Sequence, residues 1–217
     1  MIKAVIFDLD GTLIDTLDDL TDSMNFVLTE SGFSVRTKTE IRSFIGNGLG
    51  MLAKRALPEE CDENTVSRVT LRLKEYYACH SRIKTKPYDG ITECLDSIKQ
   101  RGIKCAVLTN KLESAAKKLC DDYFNGYFDI VCGDNGKDKL KPAPDGIERI
   151  SEYLDVSKDG IVYIGDSEVD ADTANNASVR SIGVLWGFRD KDVLEKCGFD
   201  EIAEEVWNII DIIEKNS

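Results

Sequence analysis

The chain is predicted to be an α/β protein, a doubly wound parallel sheet with a small inserted α-helical domain. Three observations predict this class. Short apolar runs recur along the chain with amphipathic stretches between them, which is the pattern of parallel strands buried on both faces. The alternation is interrupted once, over residues 15–84, where only helical patterning is found. Finally, several of the apolar runs lead straight into acids, hydroxyls and lysines, and ligands gather at the carboxyl ends of strands in such sheets.

Ala4–Phe7 is the first strand, an unbroken AVIF run that stops at Asp8. The insert follows, with helices expected at Leu17–Glu30, 39–44, 49–56 and 64–82. Pro87-Tyr88-Asp89-Gly90 is the turn by which the chain returns. These limits divide the chain into a core of residues 1–14 and 85–217 and a helical domain of 15–84. In the core, strands are expected at 104–108, 130–131, 161–164 and 181–185, and helices at Ile91–Gln100, 114–122, 147–154 and 202–213. The last helix rests on Ile202, Val206, Ile209, Ile210 and Ile213 falling on one helical face. The stretch 133–141 (GDNGKDKLK) is a polar loop, expected to be mobile.

Composition narrows the function classes. At 217 residues there is ample chain for a packed core, and 42% apolar residues is ordinary for a globular protein. A formal charge of −12 with no basic stripe argues against a nucleic-acid or anionic-membrane surface. The first apolar run ends too early for a secretory leader, and the expected location is the cytoplasm. The seven cysteines are odd in number, scattered and without a CxxC pair, which is read as reduced thiols. None is followed six residues later by arginine, and the single histidine, His80, has no nucleophile within sequence reach. Thiol and histidine chemistries are therefore set aside.

Carboxylates remain. Asp8 and Asp10 follow the first strand, Thr109 and Asn110 the second, Lys139 and Lys141 come after the third, and Asp166 and Asp170 after the fourth. Along an extended strand Asp8 and Asp10 point the same way, with Leu9 opposite. Unpaired carboxylates are costly to bury, so a cation is expected among them. Clustered acids without histidine or thiolate suit a hard ion that keeps its waters, namely Mg²⁺. Such an ion lets a phosphate dianion approach an acidic site. Thr109 can donate to a phosphoryl oxygen, Lys141 supplies a point charge, and a carboxylate nucleophile would split phosphoryl transfer into two steps.

DLDGT, VLTN, KPAPD and GDSEVD, in this order, resemble the four motifs of the haloacid dehalogenase-like hydrolase superfamily. The resemblance covers essentially the whole chain, including the insert, which is similar to that superfamily's helical cap. It implies a Rossmann-like core with Asp8 as nucleophile. Asp10 would be the acid and base, and would lend its backbone carbonyl to the metal. Thr109, Asn110 and Lys141 would hold the phosphoryl group, although the Asn110 amide is equally suited to tying its loop. Asp8, Asp10 and Asp166 would be the Mg²⁺ ligands, with Asp170 orienting metal-bound water. Lys141 is preferred to Lys139 because it directly precedes Pro142.

Asp10 argues against dehalogenation, because halide departure needs no proton. FIGNGLGML and VLWGFRD resemble stretches of phosphoglycolate phosphatases. The first makes Gly46, Asn47, Gly48 and Arg55 candidates for substrate contact, with Lys54 nearby; an ordinary helix-entry turn would look the same. The expected activity is Mg²⁺-dependent hydrolysis of a small phosphate monoester through an aspartyl-phosphate. A β-phosphoglucomutase-type isomerase, a pyrophosphatase, nucleotidase or sugar phosphatase, and a non-catalytic binding protein are the alternatives. The expected partner is a small phosphorylated metabolite, with no nucleic acid or membrane, and the chain is expected to be a monomer or weak homodimer. One departure stands out: where the family shows Ala-Gly after the fourth motif, this chain has Ala177-Ser178.

Overall fold

The computed structural model describes residues 1–215, so the last two residues of the expected core lie outside it. Two compact units make up the chain: residues 1–14 with the stretch from 87 onward, and residues 15–86. The crossings occur at two short strands that pair with each other, β2 (Ile14–Asp15) and β3 (Lys86–Pro87), the first of them following β1 (Ala4–Phe7).

The unit spanning 15–86 consists of α1 (Leu17–Glu30), α2 (Lys38–Phe44), α3 (Gly48–Ala56) and α4 (Glu63–His80). Its starts are set locally. Thr37 and Glu40 form a reciprocal capping box on α2, and Asp62 accepts from Thr65 N at the head of α4. Leu20, Met24, Val27, Ile41, Leu52, Val69 and Leu73 supply the apolar interior. Asp19 is an acid buried on α1. Its carboxylate accepts from the backbone of Ile83, Lys84 and Thr85 and from the Thr85 hydroxyl, so the charge is fully met by the returning chain.

The other unit continues with α5 (Ile91–Gln100), β4 (Lys104–Leu112), α6 (Glu113–Phe124), β5 (Ile130–Asp134) and α7 (Asp145–Leu154). Then come β6 (Ile161–Gly165), α8 (Glu168–Ala177), β7 (Arg180–Val184), α9 (Lys191–Leu194), β8 (Glu201–Ala203) and α10 (Asn208–Lys215). The six core strands lie in the order β5-β4-β1-β6-β7-β8, all parallel. Alternation along the strands sorts the core into two layers. Val5, Phe7, Cys105, Val107 and Ile164 pack with α5, α6 and α10, while Ala4, Ile6, Ala106, Leu108 and Tyr163 pack with α7 and α8. β1 is central, so the residues just beyond Phe7 emerge mid-edge.

Three expectations are corrected. The 202–213 helix is instead β8 followed by α10, because the open edge of β7 pairs with residues 201–203 and Leu185 N donates to Ala203 O. The second core strand runs past 108 to Leu112, with a register shift against β5 that turns Asn110 and Lys111 out of the regular ladder. The 133–141 stretch is not loop throughout: its first two residues belong to β5, and beyond them Asp138 accepts from Asn135 Nδ2 and Arg149 Nη1.

Candidate active site

Residues on or following three strands of the parallel sheet, β1, β5 and β6, converge on one cluster. Asp8, just past β1, places Oδ1 2.8 Å from Nζ of Lys141. That ammonium also contacts Asp170 Oδ1 at 2.7 Å and Tyr163 Oη at 3.1 Å. The Tyr163 hydroxyl donates to Asp170 Oδ1 at 2.9 Å. Carboxylate oxygens of Asp8, Asp166 and Asp170 lie within 4.8 Å of one another, and all three residues are buried. Of the expected residues, Asp8, Lys141, Asp166 and Asp170 thus meet.

Charge in this cluster is unbalanced, with three carboxylates around one ammonium. Burial pushes the Asp8 carboxyl up, Lys141 opposes this, and Asp170 and Asp10 add to it, leaving Asp8 at about 7. Burial, with Asp170 and Asp8 alongside, also raises Asp166 well above the carboxylate range. Burial alone would lower Lys141, but Asp170 and Asp8 overcome it and the ammonium is held above its usual value. Tyr163 is raised by burial and by the same acids, so its hydroxyl stays a neutral donor. Such a donor set, all oxygen and short of positive charge, fits a hard divalent cation.

Backbone shape keeps the cluster open. Gly11 has φ +91°, and a Cβ there would lie 2.4 Å from Asp166 Oδ2. A Cβ on Gly187 would lie 2.3 Å from the Asp166 Cβ and 2.5 Å from Gly11 O. Both glycines are therefore required for Asp166 to sit where it does.

Asp10 stands apart from the three acids. Its carboxylate is held by Lys111 Nζ, 2.7 Å from Oδ1 and 3.0 Å from Oδ2, with both side chains largely buried. Thr109 is buried within β4, and its hydroxyl accepts from Lys111 N. Asn110 binds the Lys141 backbone reciprocally: Nδ2 donates to Lys141 O, and Oδ1 accepts from Lys141 N at 2.8 Å. The amide therefore fixes the loop that presents the lysine. Gly46, Asn47, Gly48 and Arg55 belong to the other unit. There Arg55 donates to Phe44 O and to Asn47 Oδ1, pinning a turn in which Gly46 and Gly48 have positive φ.

Several contributors escaped the sequence reading. Ser167 Oγ donates to Asp170 Oδ2 at 2.5 Å, and the backbone N–H groups of Asp166 and Ser167 donate to the same oxygen. The WGFR stretch is a buttress. Phe188 N donates to Asp166 Oδ2 at 2.6 Å, Trp186 Nε1 donates to Thr12 O, and Arg189 pairs with Glu168. Lys111 was signalled by nothing beyond its adjacency to Asn110. Tyr163 looked like any apolar strand residue.

The family model described as haloacid dehalogenase-like hydrolase matches residues 5–184. A phosphoglycolate phosphatase from Aquifex aeolicus is 30% identical over 86% of this chain and 86% of its own length. One from Agrobacterium fabrum is 35% identical over 88% of this chain and 83% of its length. A solved structure from Lactobacillus delbrueckii subsp. bulgaricus superposes with a TM-score of 0.94 at 35% identity, covering 97% of this chain and 98% of the other. The chain belongs to the haloacid dehalogenase-like hydrolases, and it is an enzyme of that family's phosphatase group.

Proposed function

We propose that the enzyme is a Mg²⁺-dependent phosphatase for a small phosphate monoester, with 2-phosphoglycolate as the leading substrate. The observation that carries this reading is Asp8, a buried carboxylate 2.8 Å from Lys141 beside Asp166 and Asp170. Asp8 and Asp166, with the Asp10 backbone carbonyl, would hold Mg²⁺, which when bound offsets the charge of the acids and of the incoming phosphate. Asp170, which Ser167 and Tyr163 orient, would support that ion from beside Asp8 and Asp166.

Asp8 attacks phosphorus, forming an O–P bond as the bond to the leaving oxygen breaks. The leaving oxygen takes its proton from the Asp10 carboxyl. Asp10 then accepts a proton from water as the water oxygen attacks phosphorus, releasing phosphate and restoring the Asp8 carboxylate. Lys141 and Thr109 stabilise the transferring group, so the barrier is lowered chiefly by fixed charge. The substrate class draws support from phosphoglycolate phosphatases that match most of the chain, those from Aquifex aeolicus and Agrobacterium fabrum among them.

The test is phosphate release from 2-phosphoglycolate, β-glucose-1-phosphate, pyrophosphate and nucleoside monophosphates, with Mg²⁺ or with EDTA, by wild type and Asp8→Asn. Preference for 2-phosphoglycolate, lost in EDTA and in Asp8→Asn, is expected. Glucose-6-phosphate formed from β-glucose-1-phosphate without free phosphate would replace the hydrolase reading with the isomerase one.

A further inference from the structure

We propose that Lys111 reads an anionic leaving group, so that the enzyme selects phosphate monoesters whose alcohol carries a carboxylate next to the ester oxygen. This rests on the reading of Asp10 as donor to the leaving oxygen. Lys111 Nζ lies 2.7 Å from Asp10 Oδ1. An oxygen hydrogen-bonded to Asp10 therefore lies within about 5.5 Å of that ammonium. In a 2-carboxylated ester the carboxylate oxygens are three bonds from the ester oxygen, a span of about 3 Å. Turned toward the lysine, such a group can reach hydrogen-bonding distance of Nζ, whereas a neutral alkyl alcohol offers it nothing.

Three features favour this assignment. An ammonium carries its donors in a tetrahedral spread and can serve two anions at once, as Lys141 does for Asp8 and Asp170. Lys111 is placed by the register shift near the end of β4 and its side chain is only 9% exposed, so it is aimed and partly desolvated before substrate arrives. Arg55, a cation that the sequence offered for substrate contact, is occupied by Phe44 O and Asn47 Oδ1.

The experiment compares kcat/KM for 2-phosphoglycolate with that for ethyl phosphate in wild type, Lys111→Met and Lys111→Arg. Taking the ratio cancels any effect on Asp10 that both esters share. The methionine variant should lower the ratio by about 10- to 100-fold, mainly through KM, the size of a lost charged hydrogen bond. Arginine should restore most of it. A ratio unchanged in Lys111→Met, with both esters slowed alike, would overturn the proposal and leave Lys111 as a clamp on Asp10. Lys111→Gln takes the place of the methionine variant if that one does not fold. If wild type cleaves neither ester, the hydrolase reading falls, and calorimetry then decides for Lys111 alone. Asp8→Asn with and without Lys111→Met is titrated with the two esters. Selective weakening of 2-phosphoglycolate binding supports the proposal, and equal weakening overturns it.

Discussion

Replacing Lys141 by methionine removes the ammonium among three buried carboxylates while nearly preserving side-chain volume. Lys141 Nζ is 2.8 Å from Asp8 and 2.7 Å from Asp170. At an effective dielectric near 20, each contact corresponds to about 6 kcal/mol of gross attraction. Desolvating the ammonium offsets several kcal/mol of this, and breaking such a buried pair costs about 3–5 kcal/mol net. The loss depends on pH. Asp8 sits at about 7 in the folded protein against an ordinary 3.8, so its own contribution to stability falls as pH rises through that window. Lys141 is raised, so its contribution is fully present below its ordinary 10.5 and is lost only at more alkaline pH. Below about pH 5 Asp8 is mostly neutral, and the lysine then has less to compensate. The variant should therefore lose the full amount at pH 8 and clearly less at pH 5. Urea unfolding in EDTA measures this through tryptophan fluorescence. Both tryptophans, Trp186 and Trp207, lie in the α/β unit, so the signal follows that unit. With a slope of about 3 kcal/mol per molar urea, the midpoint should fall by about 1–1.7 M at pH 8. A shift under about 0.3 M, or equal shifts at both pH values, would refute the charge argument.

Two further predictions concern a helix end and the cysteines. Ser178 ends α8 with φ 58° and is exposed, a left-handed position that glycine occupies without strain. Ser178→Gly should add about 1 kcal/mol and raise Tm by roughly 2–4 °C, and an unchanged or lower Tm would contradict this. Burial pushes the thiols of Cys94, Cys105 and Cys120 up to about 12, while Cys79 is exposed. At pH 8 iodoacetamide should label Cys79 and spare those three, whose thiolate fraction is about a thousandfold below that of an ordinary thiol. Mass spectrometry of native and urea-unfolded protein checks it, and early labelling of the three would show that this core opens readily.

Much of the site is legible in the sequence because each parallel strand writes its own ending. The AVIF run must be buried on both faces, so Asp8 after it must emerge at the sheet's edge. The same logic places Asp166 after β6, whereas Thr109 falls inside β4 because that strand continues to Leu112. What runs less clearly is anything decided by a distant partner. Ile202, Val206 and Ile209 have helical spacing, yet residues 201–203 pair with β7, because the unpaired hydrogen-bonding groups of that edge count for more than local periodicity. Tyr163 is an apolar strand residue by pattern, and only α8 packing beside β6 brings Asp170 to its hydroxyl. WGFR is legible as a motif but not as the support of Asp166, since that role needs Gly187 and Phe188 to reach a carboxylate on another strand end.

By itself, then, the sequence determined the parallel sheet, the helical insert and the set of acids and lysines at the strand ends, because burial and chain connectivity are local enough to read. Only the tertiary structure decided which lysine serves which acid: Lys141 joins Asp8 to Asp170, and Lys111 takes Asp10. Charges pair through space, and residues about a hundred positions apart share a contact only once the sheet has set its strand order.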